Sequence, residues 1–80
     1  MRLNDKDTEK LIVYTAALVA KERLDRGVKL NHPESVALIT KTLLEYARDG
    51  KTVAELMELG TKVLKKDQVM EGVPEMIEVV

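Results

Sequence analysis

Residues 11–20 read Leu11-Ile12-Val13-Tyr14-Thr15-Ala16-Ala17-Leu18-Val19-Ala20, and the fold turns on them. Only Thr15 is polar. Leu11, Tyr14 and Leu18 make one stripe at helical spacing, Ile12, Ala16 and Val19 a second, and Val13, Ala17, Ala20 and Leu24 a third. Together they cover nearly the whole circumference. A helix that is apolar all round is buried on most sides. An 80-residue chain holds little material to bury it with. Either it is an over-apolar core helix with some Ala and Val exposed, or one of its faces belongs to another subunit.

The flanks set the limits of this helix. Asn4 is a favoured N-cap, and Asp5, Asp7 and Glu9 put negative charge near the positive end of the helix dipole. Gly27 supplies the left-handed residue that ends it, so the expected span is 5–26. Lys21–Asp25 and Glu22–Arg26 stand at i,i+4 on its last turns.

The second helix is expected over 33–48. Asn31 or His32 caps it, Pro33 suits its first turn, and Asp49-Gly50 ends it. Val36, Ile39, Leu43 and Ala47 recur along one side, and Lys41–Glu45 is an i,i+4 pair. The third opens with Thr52-Val53-Ala54-Glu55, a complete capping box. Val63 and Leu64 continue the period of Leu56 and Leu59, which carries this helix through Gly60 over 53–64. Asp67 can cap a short fourth turn over 67–71, stopped by Gly72, and Pro74 breaks helix in an extended tail over 72–80. The fold expected is mainly α: three helices, a short fourth helical turn and an extended C-terminal tail in a single domain, 1–80.

Composition narrows the function. Thirteen cations against 14 acids give a net charge of −1, which argues against a dedicated nucleic-acid binder. There is no cysteine, so disulfides, thiolate zinc sites and cysteine nucleophiles are excluded. The apolar volume comes from Leu, Val, Ala, Met and Ile, with no Phe or Trp. No stretch is long enough for a membrane span and no signal-peptide pattern opens the chain, so a cytoplasmic location is expected. All 13 cations lie in residues 1–66 with ten acids, for +3; residues 67–80 hold four acids and no cation, for −4.

No catalytic constellation emerges. His32 is the sole histidine and stands beside Pro33 at a helix start, the place of a cap or surface turn residue. Ser35 is the sole serine and lies in no nucleophile motif. The four glycines are isolated, so no phosphate-cradling loop exists. The carboxylates are dispersed among cations, as on a solvated helix face. Helices two and three have helix-turn-helix lengths, but the would-be reading helix begins Val53-Ala54-Glu55 and offers no Arg, Asn or Gln to base edges. No catalytic, cofactor-binding or metal-ligating residue is assigned.

Three stretches together are distinctive. They are Leu30-Asn31-His32-Pro33-Glu34-Ser35-Val36-Ala37-Leu38-Ile39, Ala47-Arg48-Asp49-Gly50-Lys51-Thr52-Val53-Ala54-Glu55-Leu56-Met57 and Gln68-Val69-Met70-Glu71-Gly72-Val73-Pro74-Glu75-Met76-Ile77. With the preceding Tyr14-Thr15-Ala16-Ala17 helix, their order and spacing resemble the gamma subunit of bacterial urease over essentially the whole chain. Tyr46 stands where that family has a small residue, and Lys65-Lys66 replaces a threonine-led cap. Family members continue into a two-stranded hairpin that makes their full-length fold α+β, whereas this sequence stops at Val80.

The resemblance implies a non-catalytic structural subunit of a nickel enzyme that hydrolyses urea to ammonia and carbamate (a urea amidohydrolase). It implies no cofactor on this chain, with the nickel in the alpha subunit. Packing with alpha and beta subunits in a trimer of heterotrimers is the implied assembly, without nucleic acid or membrane. The apolar, Pro-broken tail is the expected partner interface: Val69, Met70, Val73, Pro74, Met76 and Ile77. The alternative is a standalone small helical interaction domain or homo-oligomer without urease partners.

Overall fold

Each of the three long helices begins where a side chain can close its first turn. The computed structural model describes residues 3–76, with side chains through residue 74. It places α1 at Asp5–Asp25, α2 at His32–Arg48, α3 at Val53–Gly60 and a four-residue α4 at Val73–Met76, with a 3₁₀ turn at Lys66–Gln68 before the last. The mainly α fold is the one expected from the sequence, and among the described residues there is no named strand.

The caps are local chemistry. The Asn4 side chain accepts from the Asp7 N–H at 2.8 Å. Asn31 caps α2, its side chain accepting from the Glu34 N–H at 2.9 Å while the Glu34 carboxylate accepts from the Asn31 N–H at 2.9 Å. Thr52 and Glu55 close the same reciprocal box on α3. His32 is thus the first residue of α2 rather than its cap.

α1 and α2 both end in Schellman turns, in which two N–H groups beyond the helix reach back to its orphan carbonyls. Gly27 N–H donates to Leu24 O and Val28 N–H to Arg23 O; Gly50 N–H donates to Ala47 O and Lys51 N–H to Tyr46 O. Both motifs need a left-handed residue, and Gly27 (φ 78°) and Gly50 (φ 92°) provide it.

α1 packs on α2, and α2 on α3. The core cluster is Ala17, Ala20, Leu30, Leu38, Val69 and Val73, with Leu24, Val63 and Leu64 packed against it. Ala17 and Ala20 carry almost no side chain, so the α1 backbone can lie close to its neighbours. Ser35 is fully buried, and its hydroxyl donates to Asn31 O at 2.8 Å. The loop after α1 is tied to the loop before α4 by a parallel bridge between Leu30 and Val69.

Three expected boundaries are corrected. The third helix ends at Gly60 and does not reach 64. Thr61 N–H donates to Glu58 O and Lys62 N–H to Leu59 O, so the chain tightens into i,i+3 turns. The Thr61 hydroxyl also takes Glu58 O, at 2.7 Å. Val63 and Leu64 therefore reach the core from a turn, which reproduces an apolar period without a helix.

The fourth turn expected over 67–71 is instead the 3₁₀ turn Lys66–Gln68, closed by Gln68 Oε1 accepting from the Lys65 N–H at 2.6 Å rather than by Asp67. Val69 is then extended so that it can pair with Leu30. In the tail expected to be extended, Val73–Met76 forms α4. Pro74 lies in its first turn, where its missing N–H would have no partner in any case. The extended reading of residues 77–80 lies outside the described residues.

Of the i,i+4 pairs expected, Lys21–Asp25 forms at 2.6 Å. Among the described residues Glu22–Arg26 and Lys41–Glu45 do not close. Arg23 leaves the α1 surface to pair with Glu34 of α2.

Candidate interaction surface

The polar groups that could do chemistry are committed to structure. His32 is half-buried in the first turn of α2, and the Ser35 hydroxyl is tied to the backbone. The Asn31 N–H donates to the Glu34 carboxyl and, with Arg23 beside it, holds Glu34 below the ordinary carboxylate range against the opposing effect of burial. The Thr52 N–H does the same for Glu55, assisted by the Thr52 hydroxyl and Lys51. The Glu45 carboxylate beside Tyr14 holds the phenol proton in place and raises Tyr14. The Glu34 and Tyr14 effects join α1 to α2, the Glu55 effect is local to the first turn of α3, and none pairs an acid with a base in a cleft.

Among the described residues no group of three or more His, Cys, Asp or Glu could hold a metal ion. No buried side-chain nitrogen or oxygen among them lacks a partner. The surface is where the chain departs from an ordinary small domain.

On α1, Leu11 is 55% exposed, Ile12 62%, Leu18 68% and Val19 40%. At 100° per residue these four fall within about a third of the helix circumference, on either side of the exposed Thr15. Ala17 and Ala20 lie on the opposite side, in the core. The nearly all-apolar helix therefore buries its small residues and presents its large ones. That inverts the usual arrangement, in which large aliphatics gain most from leaving water. Residues 3–12 are exposed throughout, so the first two turns of α1 lack cover from the rest of the described chain. On α3, Val53 and Met57 stand at i,i+4 and are 73% and 55% exposed.

The six expected interface residues divide. Val69 and Val73 are buried in the chain's own core. Met70 is 46% exposed, and Pro74 is exposed. Met76 lies in α4, with its side chain outside the described residues, as is all of Ile77. Val69, Val73 and Pro74 come together along an apolar groove of about 260 Å³, whose other walls include Ile39, Gly60 and Leu64.

The exposed face of α1 and the Val53–Met57 pair stand outside that set of six. The sequence signalled the first, since an all-apolar helix in so short a chain must show something. Periodicity did not select the side, because all three stripes were apolar. For Val53 and Met57 no separate signal existed. They look like the core face of an amphipathic helix until α3 proves to contain no buried residue.

No helix among the described residues is long and apolar enough to cross a membrane. Comparison with known families gives one match over residues 1–80, to the family described as urease, gamma subunit. Among curated proteins, a urease subunit gamma from Synechococcus sp. (strain CC9902) is 59% identical over 78 residues, covering 98% of this chain and 78% of the relative.

Proposed function

The chain belongs to the urease gamma-subunit family, and from that membership we propose that it is a non-catalytic, structural subunit of a nickel-dependent urease. The complex hydrolyses urea to ammonia and carbamate in the cytoplasm, and this chain acts by packing against the alpha and beta subunits, in a trimer of heterotrimers. The observation that carries the structural role is the exposed aliphatic face of α1, Leu11, Ile12, Leu18 and Val19. Large aliphatics held in water on a helix favour association, since covering the apolar area they still expose removes it from water.

The donors of this chain do not fit the nickel. A dinuclear metal site needs several imidazoles or carboxylates converging on one point. Here the single histidine begins a helix, and no such cluster exists among the described residues. Family membership is what supports placing the nickel in the alpha subunit, and no step of urea hydrolysis is routed through this chain.

The contact region includes Val69, Met70, Val73, Pro74, Met76 and Ile77. Within it, Val69 and Val73 anchor the backbone from the core while Met70 and Pro74 lie on the surface. Size-exclusion mixing with the cognate alpha and beta subunits tests the reading. Co-elution is expected, and it should weaken in the double variant Met76→Asp, Ile77→Asp. If the chain self-associates and elutes apart from those subunits, the standalone homo-oligomer replaces this proposal.

A further inference from the structure

A second cleft lies where α1 and α3 both pack on α2. Its floor is Leu38, Thr42 and Tyr46, which stand at i, i+4 and i+8 on one side of α2. Lys21 and Leu24 line it from α1, and Leu59 from α3. Lys62 and Val63 join them from the turn after α3, and Gln68 from the 3₁₀ turn. The groove beside α4 takes Ile39 from α2 instead, about 100° round the helix from Leu38. The second cleft holds about 370 Å³, within the roughly 300–1,000 Å³ of small-molecule sites.

Its lining is of two kinds. Leu24, Leu38, Leu59 and Val63 are aliphatic and buried or half-buried. The polar groups are mostly donors. Lys21 and Lys62 are exposed at its edge, and Tyr46 brings a phenol O–H. Gln68 Oε1 already accepts from the Lys65 N–H at 2.6 Å, which leaves the amide N–H groups to donate. The Thr42 hydroxyl spends its proton on Leu38 O at 2.8 Å. Asp25 and Glu58 pair with Lys21 and Lys62 at 2.6 and 3.2 Å. Both are exposed i,i+4 contacts, a kind that contributes little. Each ammonium has three N–H groups, so it can keep its carboxylate and still donate into the cleft.

An aliphatic wall under a donor-rich edge asks for an anion with a hydrocarbon chain. A bare anion leaves the wall in water, and a neutral hydrocarbon leaves the ammonium groups unused. We propose that this cleft binds a free linear aliphatic carboxylate, with its chain against Leu24, Leu38, Leu59 and Val63 and its head taking hydrogen bonds from Lys21 and Lys62. The bound molecule would tie α1 to the turn after α3 and so stabilise the folded chain. The site needs no partner subunit and goes beyond the urease-subunit reading.

The test is heteronuclear NMR of the full 80-residue chain titrated with octanoate. Acetate serves as the head without the chain, and octan-1-ol as the chain without the charge. Octanoate should give saturable shifts at Lys21, Thr42, Tyr46, Lys62 and Gln68. It should bind about tenfold or more tighter than either comparison compound, as expected of charge-assisted hydrogen bonds added to apolar burial. Lys21→Gln with Lys62→Gln should remove the advantage over octan-1-ol and leave octan-1-ol binding unchanged. Lys6→Gln with Lys10→Gln removes the same charge from the exposed start of α1 and should bind octanoate as the unaltered chain does. Circular dichroism checks that each variant is folded, and Lys62→Gln alone replaces the cleft variant if it is not.

Three results overturn the proposal. Octanoate binding no tighter than octan-1-ol, or not at all, removes the anion site. Shifts confined to Leu11, Ile12, Leu18 and Val19 place octanoate on the exposed α1 face. Equal losses in the two lysine variants reduce the effect to general attraction between charges. None of these results touches the urease-subunit reading, which stands or falls on co-elution.

Discussion

Leu30 and Val69 form a parallel bridge: Leu30 N–H donates to Gln68 O at 3.0 Å, and Met70 N–H donates to Leu30 O at 2.9 Å. Leu30 is fully buried and Val69 is 6% exposed. The contact fastens the α1–α2 loop to the approach to α4, so the two ends of the described fold share one core. It joins the stretch that begins at Leu30 to the one that begins at Gln68.

Leu30→Ala should therefore cost far more than its place in a loop suggests. A fully buried leucine cut back to alanine loses about 2–5 kcal/mol, through lost transfer energy and the cavity left behind. Leu18→Ala removes the same atoms from a side chain that is 68% exposed and should change stability by under about 0.5 kcal/mol. Denaturant unfolding of the two variants against the parent checks the contrast. Equal small losses would mean that the bridge does not hold the two loops together.

Acid should loosen the α1–α2 junction first. The Glu34 carboxylate accepts the Asn31 N–H and pairs with Arg23, and its pKa lies below the ordinary value of 4.5. A carboxyl with a depressed folded pKa contributes stability that is present above the unfolded value. That stability is lost as the pH falls through the folded one. Glu55 is shifted in the same direction at the start of α3. Stability should be flat above pH ~5 and decline below it. Glu34→Gln should lower stability at neutral pH and reduce the slope below that point. Melting curves from pH 7 to pH 3 measure both effects, and an unchanged slope in Glu34→Gln would assign the acid sensitivity elsewhere.

The glycines should separate by backbone geometry. Gly50 sits at φ 92°, where a side chain is strained, so Gly50→Ala should destabilise by about 1 kcal/mol. Gly60 is the last residue of α3 and has an ordinary φ. A Cβ there would meet the Leu43 methyl carbons at 3.6 Å, a normal contact. Gly60→Ala should then stabilise by about 0.4–1 kcal/mol, by restricting the unfolded chain and favouring helix. Thermal melts of the two variants should move in opposite directions.

What the sequence disclosed follows the range of the interaction responsible. The Asn4 cap, the Thr52–Glu55 box and the Gly27 and Gly50 stops are contacts within a few residues, and each was readable as a short pattern. The end of α3 was not. Val63 and Leu64 keep the apolar period because the core needs them, and the core accepts them equally well from a turn. Nor could the pattern show that Arg23 would reach across to Glu34, or that Val69 would be drawn to Leu30 and away from the surface. Those choices depend on how α1 and α2 pack. Local pattern fixes where helices start, and the long-range contacts decide which of several apolar faces is spent on the core.

The exposed face of α1 supplies the sharpest separation of folding from assembly. Leu11 and Leu18 lie on one stripe, 55% and 68% exposed, remote from Ala17 and Ala20 on the buried side. Replacing both with Ser removes apolar surface that the fold itself does not cover, so stability should change by less than about 1 kcal/mol. In the complex the same atoms would leave a cavity at a helix–subunit contact. Affinity should then fall by at least about 1.4 kcal/mol, or tenfold. Urea or thermal unfolding of the variant, paired with its co-elution with the cognate urease subunits, reads both quantities. Large destabilisation with unaltered assembly would show that the face serves the fold after all. A stable chain that no longer assembles would show that the face serves assembly.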